Sequence, residues 1–411
     1  MECRNTKEKH ILARTFLISA LSFILFGIIS VYDRTIYNRF WFVFYFVFEL
    51  LFFLGLSSGS LVILKKKKRR AKFKVSRQGK KLLTTLNILA LFSFVYFLYL
   101  YNKNIGFASI GTFTADKFEE GRGIVEKATV LLMQMGGEMA YLIMNIDGDL
   151  SNTKRLQLAK FCLFLPGIRS LILGNRFTIA VEFLVLLFSN WTSFNAQMAN
   201  IWRGVKKKII ITLIGVVIII LFIYLFSSRS VHYTAIDRFE FYEGDQILKP
   251  FWENIYYITD GKIEPLYVLF DYLTEAPYVF SYYCEHHFPS SVLYGQLTFR
   301  WIFQILNTMF GIGRSYLDLV NTLASGKYSG FGYILFADFG LLAPIMAYLI
   351  GIIFSKIEYN KDSNATFAAL FPLVQAICVF APVYYFYVGR CDYPFFFTIL
   401  FVPFCIKSYT E

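Results

Sequence analysis

The chain has 411 residues, of which 56% are hydrophobic and 19% aromatic, with a mean hydropathy of +0.52 and a formal net charge of +13. Apolar runs of roughly 20 residues recur along it, so a soluble fold is excluded and a bilayer is its solvent. The positive charge would suit nucleic acid, but the basic residues gather in short loops beside apolar spans, where orientation and anionic lipid account for them, and no nucleic-acid partner is expected.

The opening decapeptide MECRNTKEKH and the run Ile11 to Val31 have the outline of a secretion signal. The run is too long for one and no small-residue cleavage site follows, so it reads as a first span. The next landmark is Lys65 to Lys81, KKKKRRAKFKVSRQGKK, which holds 11 of the 41 basic residues between two long apolar runs. Such loops stay in the cytoplasm during insertion, so the helix before it runs inward and the helix after it outward.

Counting from that anchor predicts an all-α polytopic protein of ten spans, roughly 15 to 31, 40 to 64, 82 to 101, 128 to 146, 156 to 173, 177 to 190, 209 to 226, 331 to 354, 365 to 386 and 393 to 406. Both termini then lie in the cytoplasm. The inner segments hold 25 of the 41 basic residues in short dense loops, while the outer ones are diluted by acids. No internal repeat or flexible linker is evident, so residues 1–411 read as a single membrane domain.

Between the seventh and eighth spans lies a 104-residue outer insertion, Ser227 to Gly330, with seven basic and eleven acidic residues. It is too long for a connector. Its interrupted apolar stretches, EPLYVLFDYL from Glu264 and YGQLTFRWIFQILNTMF from Tyr294, suit helices lying at the interface, and a lid over the outer face follows. Its aromatic content scarcely exceeds that of the chain and argues interfacial packing rather than carbohydrate binding.

The strongest chemical signal is GIRSLILGNR, where Arg169 and Arg176 stand seven residues apart near the outer end of the fifth span. On a continuous helix that is about 700 degrees, which puts both guanidiniums on one face. A charge inside a span is a functional hypothesis by default, and arginine suits bidentate contact with phosphate oxygens. The plainer reading has Arg176 reaching the outer headgroups and Arg169 pairing with Glu138 or Glu182. Arg300 and Arg314 in the insertion could complete a cationic floor, or anchor singly at the interface. Arg229 and Arg238 are similar, with Arg238 favoured because Asp237 adjoins it.

Candidate bases are Asp237, Glu253, Asp271, His232, His286 and His287, none with a diagnostic spacing. His286 and His287 follow Cys284 and Glu285, yet adjacent side chains rarely face one ion, and no metal or cofactor is expected. The six cysteines show no ligand or framework spacing. Cys284 and Cys391 alone fall in outer segments, as one bridge or as two isolated thiols. The intramembrane acids Glu49, Glu138, Glu182 and Asp338 could mark an ion path, but no matching halves of a transporter repeat are found.

The order of features resembles the O-antigen and capsule oligosaccharide repeat-unit polymerases (Wzy type). The resemblance spans nearly the whole chain: many spans, a G-x-R element at Gly174, Asn175 and Arg176, one long outer loop, and a following span opening FGYILFADFGLLAPI with Asp338, Phe339 and Gly340. GQLTF at Gly295 to Phe299 and the pair Asn321, Thr322 also look like family features. Ala343 before Pro344 departs from the pattern, where a second glycine is common.

The resemblance implies a glycosyltransferase of the bacterial cytoplasmic membrane, working at its outer face without metal or nucleotide sugar. Its substrates would be undecaprenyl-pyrophosphate-linked oligosaccharides, its setting the membrane lipids, and its partners a chain-length regulator and a flippase. Arg176, Arg169, Asp237 and Arg238 would be catalytic, and Arg300, Arg314, Asp338 and His286 would bind substrate. An O-antigen ligase is the nearest alternative, and a lipid-linked oligosaccharide flippase is the rival from another class.

Overall fold

The computed structural model describes residues 10–29, 32–33, 36, 38–62, 71–107, 124–173, 177–190, 247–260, 267, 274, 276–287, 292–299, 302–303, 306–307, 310–312, 330–382 and 392–410. In chain order its helices are α1 (Ile11–Ile29), α2 (Arg39–Val62), α3 (Arg77–Asn104), α4 (Ile124–Gln134), α5 (Ala140–Asn145), α6 (Lys154–Leu163), α7 (Leu165–Ile172) and α8 (Phe177–Ser189). There follow α9 (Pro250–Ile258), α10 (Ala276–His287), α11 (Gly330–Phe339), α12 (Ala343–Asn360), α13 (Ala365–Phe380) and α14 (Asp392–Cys405). Four short strands, β1 (Tyr32–Asp33), β2 (Ala71–Val75), β3 (Ile247–Leu248) and β4 (Ile406–Thr410), pair antiparallel as β1 with β3 and β2 with β4.

Among the described residues three helical stretches are long and apolar enough to cross a membrane: Arg39–Ser58, Arg77–Asn104 and Gly330–Asn360. Shorter apolar helices lie at Ile11–Leu25, Phe177–Ser189, Ala365–Phe380 and Tyr393–Cys405. The expected seventh span, 209 to 226, lies outside the described residues, as does most of the outer insertion.

The contacts divide the chain into two compact units. The first comprises Met1–Lys66, Tyr233–Tyr359 and Ile377–Val388, the second Lys67–His232, Asn360–Ala376 and Gly389–Glu411.

In the first unit, α2 starts where Asn38 accepts the N–H groups of Phe40 at 3.0 Å and Trp41 at 3.3 Å, and the same amide donates to Glu285 of α10 at 2.7 Å. Helix α1 is capped from a distance, its first amides at Ile11 and Leu12 donating to the Glu358 carboxylate of α12 at 2.5 and 3.2 Å. The core is aromatic and packed edge to face. Phe280 of α10 meets Phe48 of α2 at 5.5 Å and Phe336 of α11 at 5.2 Å between ring centroids. Each such pair adds about 0.5–1.5 kcal/mol beyond its buried area.

In the second unit, the basic stretch expected to be loop holds strand β2, paired with β4 from Ala71↔Thr410 to Val75↔Ile406. Helix α3 then begins at Arg77, earlier than the hydrophobic pattern indicates, because Ser76 caps it by accepting the Gly79 N–H at 2.9 Å. Asp147 secures the corner: its carboxylate accepts the Val75 N–H at 2.9 Å and lies 3.6 Å from the Lys80 ammonium.

Three expected spans are interrupted. The fourth contains a wide helical turn, Met135–Met139, between α4 and α5. The fifth breaks between α6 and α7, with Pro166 in the first turn of α7. The eighth breaks at Gly340–Leu342, where Gly340 takes a φ of 56°.

Candidate functional site

Buried charge collects in the second unit around the wide turn. The sequence there, MGGEM, puts Gly136 and Gly137 side by side. A Cβ on Gly136 would collide with the Leu86 carbonyl of α3, and one on Gly137 would stand 2.6 Å from the Cys162 carbonyl of α6. Only glycine lets the turn lie against both helices. The Asn87 side chain donates to the Gly136 carbonyl, which ties α3 to the turn in the manner of polar glue between membrane helices. Such turns occur often at functional sites, and this one carries Glu138, 1% exposed.

Across from it, Glu182 of α8 is fully buried, with its carboxylate against the backbone of α7 where Gly167 leaves room. A Cβ on Gly167 would strike that carboxylate and stand 2.8 Å from the Cα of Ile179. Glu138 and Glu182 are near enough for each to feel the other's charge. Arg169 of α7 is 3% exposed, its guanidinium carbon 5.2 Å from the Phe97 ring centroid, in a cation–π contact. Phe97 belongs to a cluster with Tyr101, Met133, Ile172 and Leu173, so Arg169 is embedded in a packed wall. The arrangement is one guanidinium and two carboxylates in a sequestered helical body. Charges fixed there act in a low dielectric and cost little reorganisation.

The expected alignment of Arg169 with Arg176 requires a continuous helix. Helix α7 instead ends at Ile172, capped at Leu173. Arg176 itself lies outside the described residues, in the connection to α8. Asp237, Arg238, Arg300 and Arg314 also lie outside them, as do Arg229, His232, Asp271, Asn321, Thr322 and Cys391.

The first unit holds the remaining candidates. His286 falls in α10, beside Glu285, which bonds Asn38. Cys284 in the same helix is a buried free thiol, and burial pushes its pKa up, so it is no nucleophile near neutral pH. Glu253 lies on α9, and the Trp252 carbonyl there accepts the Tyr267 hydroxyl at 2.5 Å.

Asp338, at the end of α11, is fully buried, and its carboxylate serves the chain itself. One oxygen accepts the Leu297 N–H at 3.0 Å, the other the Thr298 N–H at 2.5 Å. The carbonyls at the end of α11 are satisfied by the same segment: Leu293 donates to Ala337 at 3.0 Å and Tyr294 to Asp338 at 2.9 Å. The stretch containing GQLTF is thereby fastened to the break between α11 and α12. Sequence reasoning named Asp338 but missed the double glycine, Asn87 and Tyr294. Gly-Gly before an acid inside an apolar run was the available signal for the first of these.

Among the described residues no group of three or more His, Cys, Asp or Glu is arranged to hold a metal ion. No protein-family model matches the chain, nor does any curated protein or solved structure.

Proposed function

We propose that the protein is an oligosaccharide repeat-unit polymerase at the outer face of the bacterial cytoplasmic membrane. The growing glycan leaves undecaprenyl pyrophosphate and joins the non-reducing-end sugar of a lipid-linked repeat unit. The acceptor hydroxyl oxygen attacks the anomeric carbon, its proton passes to a base, and the bond to the pyrophosphate oxygen breaks with both electrons leaving on that oxygen. The pyrophosphate gathers negative charge as it departs, and preplaced guanidiniums stabilise it. Arg176 is assigned to that contact, with Arg169 as the fixed charge behind it.

The observation carrying this reading is the burial of Arg169 in a packed helical wall, seven residues before an arginine in the α7–α8 connection. That both termini share one side is supported by which segments meet within each unit, while the assignment of that side to the cytoplasm rests on the basic stretch Lys65 to Lys81. β2 pairs with β4 and receives Asp147, all assigned inside, and Ile11 meets Glu358, also inside. β1 pairs with β3 and Asn38 meets Glu285, all assigned outside. A parity error in the span count would have set such partners on opposite sides of the bilayer.

The test is polymer length in cells carrying Arg176→Ala or Arg176→Lys at normal expression. Alanine abolishes polymer, and lysine, a point charge in place of a bidentate fork, retains little. Loss of about 3 to 4 kcal/mol slows the step roughly a hundred- to a thousandfold. Wild-type lengths from Arg176→Ala overturn the assignment.

A second reading, transport of a lipid-linked oligosaccharide, is favoured by one observation: Glu138 and Glu182 are buried and electrostatically adjacent, as on an ion path. Translocation of a fluorescent lipid-linked sugar in proteoliposomes, with no change in its length, would select it.

A further inference from the structure

Tyr294 departs from its surroundings in two ways. It has a φ of 52°, a left-handed backbone that a bulky side chain rarely adopts, and its side chain is 79% exposed. The conformation is imposed. The Tyr294 and Leu293 amides are tied to the end of α11, the Leu297 and Thr298 amides to the buried Asp338 carboxylate, and the Phe299 amide to the Gly295 carbonyl at 2.8 Å. Gly295 follows at a φ of 84°, and a Cβ there would stand 3.2 and 3.5 Å from the rings of Phe299 and Phe339, which floor the turn.

An aromatic ring that merely anchors a chain at the bilayer interface needs no such arrangement. Phe251 and Tyr257 on α9 are exposed from ordinary helical backbone. At Tyr294 a strained backbone, held by amides that donate to Asp338, presents one exposed ring from the outer insertion. A tyrosine ring combines an apolar face with a polar tip, which matches a pyranose with its C–H face and hydroxyl rim, and its two torsions make it cheap to immobilise.

We propose that Tyr294 is a sugar-binding platform for the acceptor oligosaccharide, and that Asp338 is its positioning residue rather than a substrate ligand. This rests on the glycan reading above and adds to it the residue that holds the acceptor. Strain found at an exposed, multiply tethered position points to function, because folding alone would favour glycine there.

The experiment uses full-length protein in detergent and the water-soluble oligosaccharide released by mild acid from the lipid-linked pool of the producing cells. Binding is read by saturation-transfer difference NMR, and acceptor KM and kcat by the polymer ladder. Tyr294→Gly removes the ring while relieving the backbone, so the fold is retained. It weakens binding about tenfold or more, and raises KM with kcat little changed. Tyr294→Phe retains most of the binding, and Asp338→Asn weakens it with the ring still present. Equal binding by wild type and Tyr294→Gly overturns the proposal, as does absence of sugar signals from the wild type. Binding that needs Tyr294 in a protein that builds no ladder would sink the polymerase reading alone. A ladder whose KM ignores Tyr294 would sink the platform alone.

Discussion

Gly55 of α2 and Gly351 of α12 meet backbone to backbone: a Cβ on Gly351 would stand 2.5 Å from the Phe52 carbonyl oxygen and 3.0 Å from the Cα of Gly55. In a bilayer, close approach of this kind holds helices together by dispersion, because lipid tails remove the hydrophobic driving force between them. Gly351→Ala has no flexible neighbour to push aside and is expected to cost about 2 kcal/mol. Denaturation in detergent reads it, and unchanged stability would mean that the two helices do not cross there.

Much of the helical framework was legible because an apolar run is a direct record of burial in lipid or core. α1, α2, α8, α13 and α14 fall where hydrophobicity puts them. Hydrophobicity does not register hydrogen bonds that form between distant segments. Strand β2 hides in a basic loop because its partner β4 lies more than 300 residues further on. The break at Gly340 likewise depends on Asp338 and on amides from residues 293–298. Within the candidate site, Arg169, Glu138 and Glu182 were visible as charges in apolar runs. Arg169 beside Glu138 or Glu182 was among the readings the charges allowed, but the close packing around them was not legible, since it depends on glycines at 136, 137 and 167 that let α3, α6, α7 and α8 close up.

The corner beneath α3 should respond to acid. The Lys74 ammonium meets the Asp149 carboxylate at 2.8 Å, and both side chains are largely exposed. The hydrogen bond from Lys74, and then its charge, hold the Asp149 carboxyl below its ordinary value, while the same bond raises the Lys74 ammonium. A depressed carboxyl adds stability above the ordinary aspartate value of about 3.9, and loses it as pH falls through its own lower pKa. A raised ammonium acts in the opposite sense, its share fading only as pH rises through its raised pKa, above about 10.4. Asp149→Asn should therefore lower the melting temperature slightly at about pH 6 in low salt, with a deficit that shrinks as pH falls below about 3.9. A deficit that persists in acid would assign the loss to packing.

Sidedness is tested by thiol labelling in a background with Cys3 and Cys391 replaced by serine. Cys162, Cys284, Cys378 and Cys405 are buried and stay silent. A cysteine at exposed Gln78 should react with an impermeant maleimide only after the cells are opened, and one at Tyr257 on α9 should react in intact cells. The reverse pattern would invert the topology and remove the outer-face site.

The central claim is glycan polymerisation supported by arginines, and reconstitution tests it most directly. Purified protein is given undecaprenyl-pyrophosphate-linked repeat units in the presence of EDTA, and the products are resolved by size. The account predicts a ladder of oligomers whose formation Arg176→Ala abolishes. Input repeat units recovered unextended, with or without added magnesium, would contradict it.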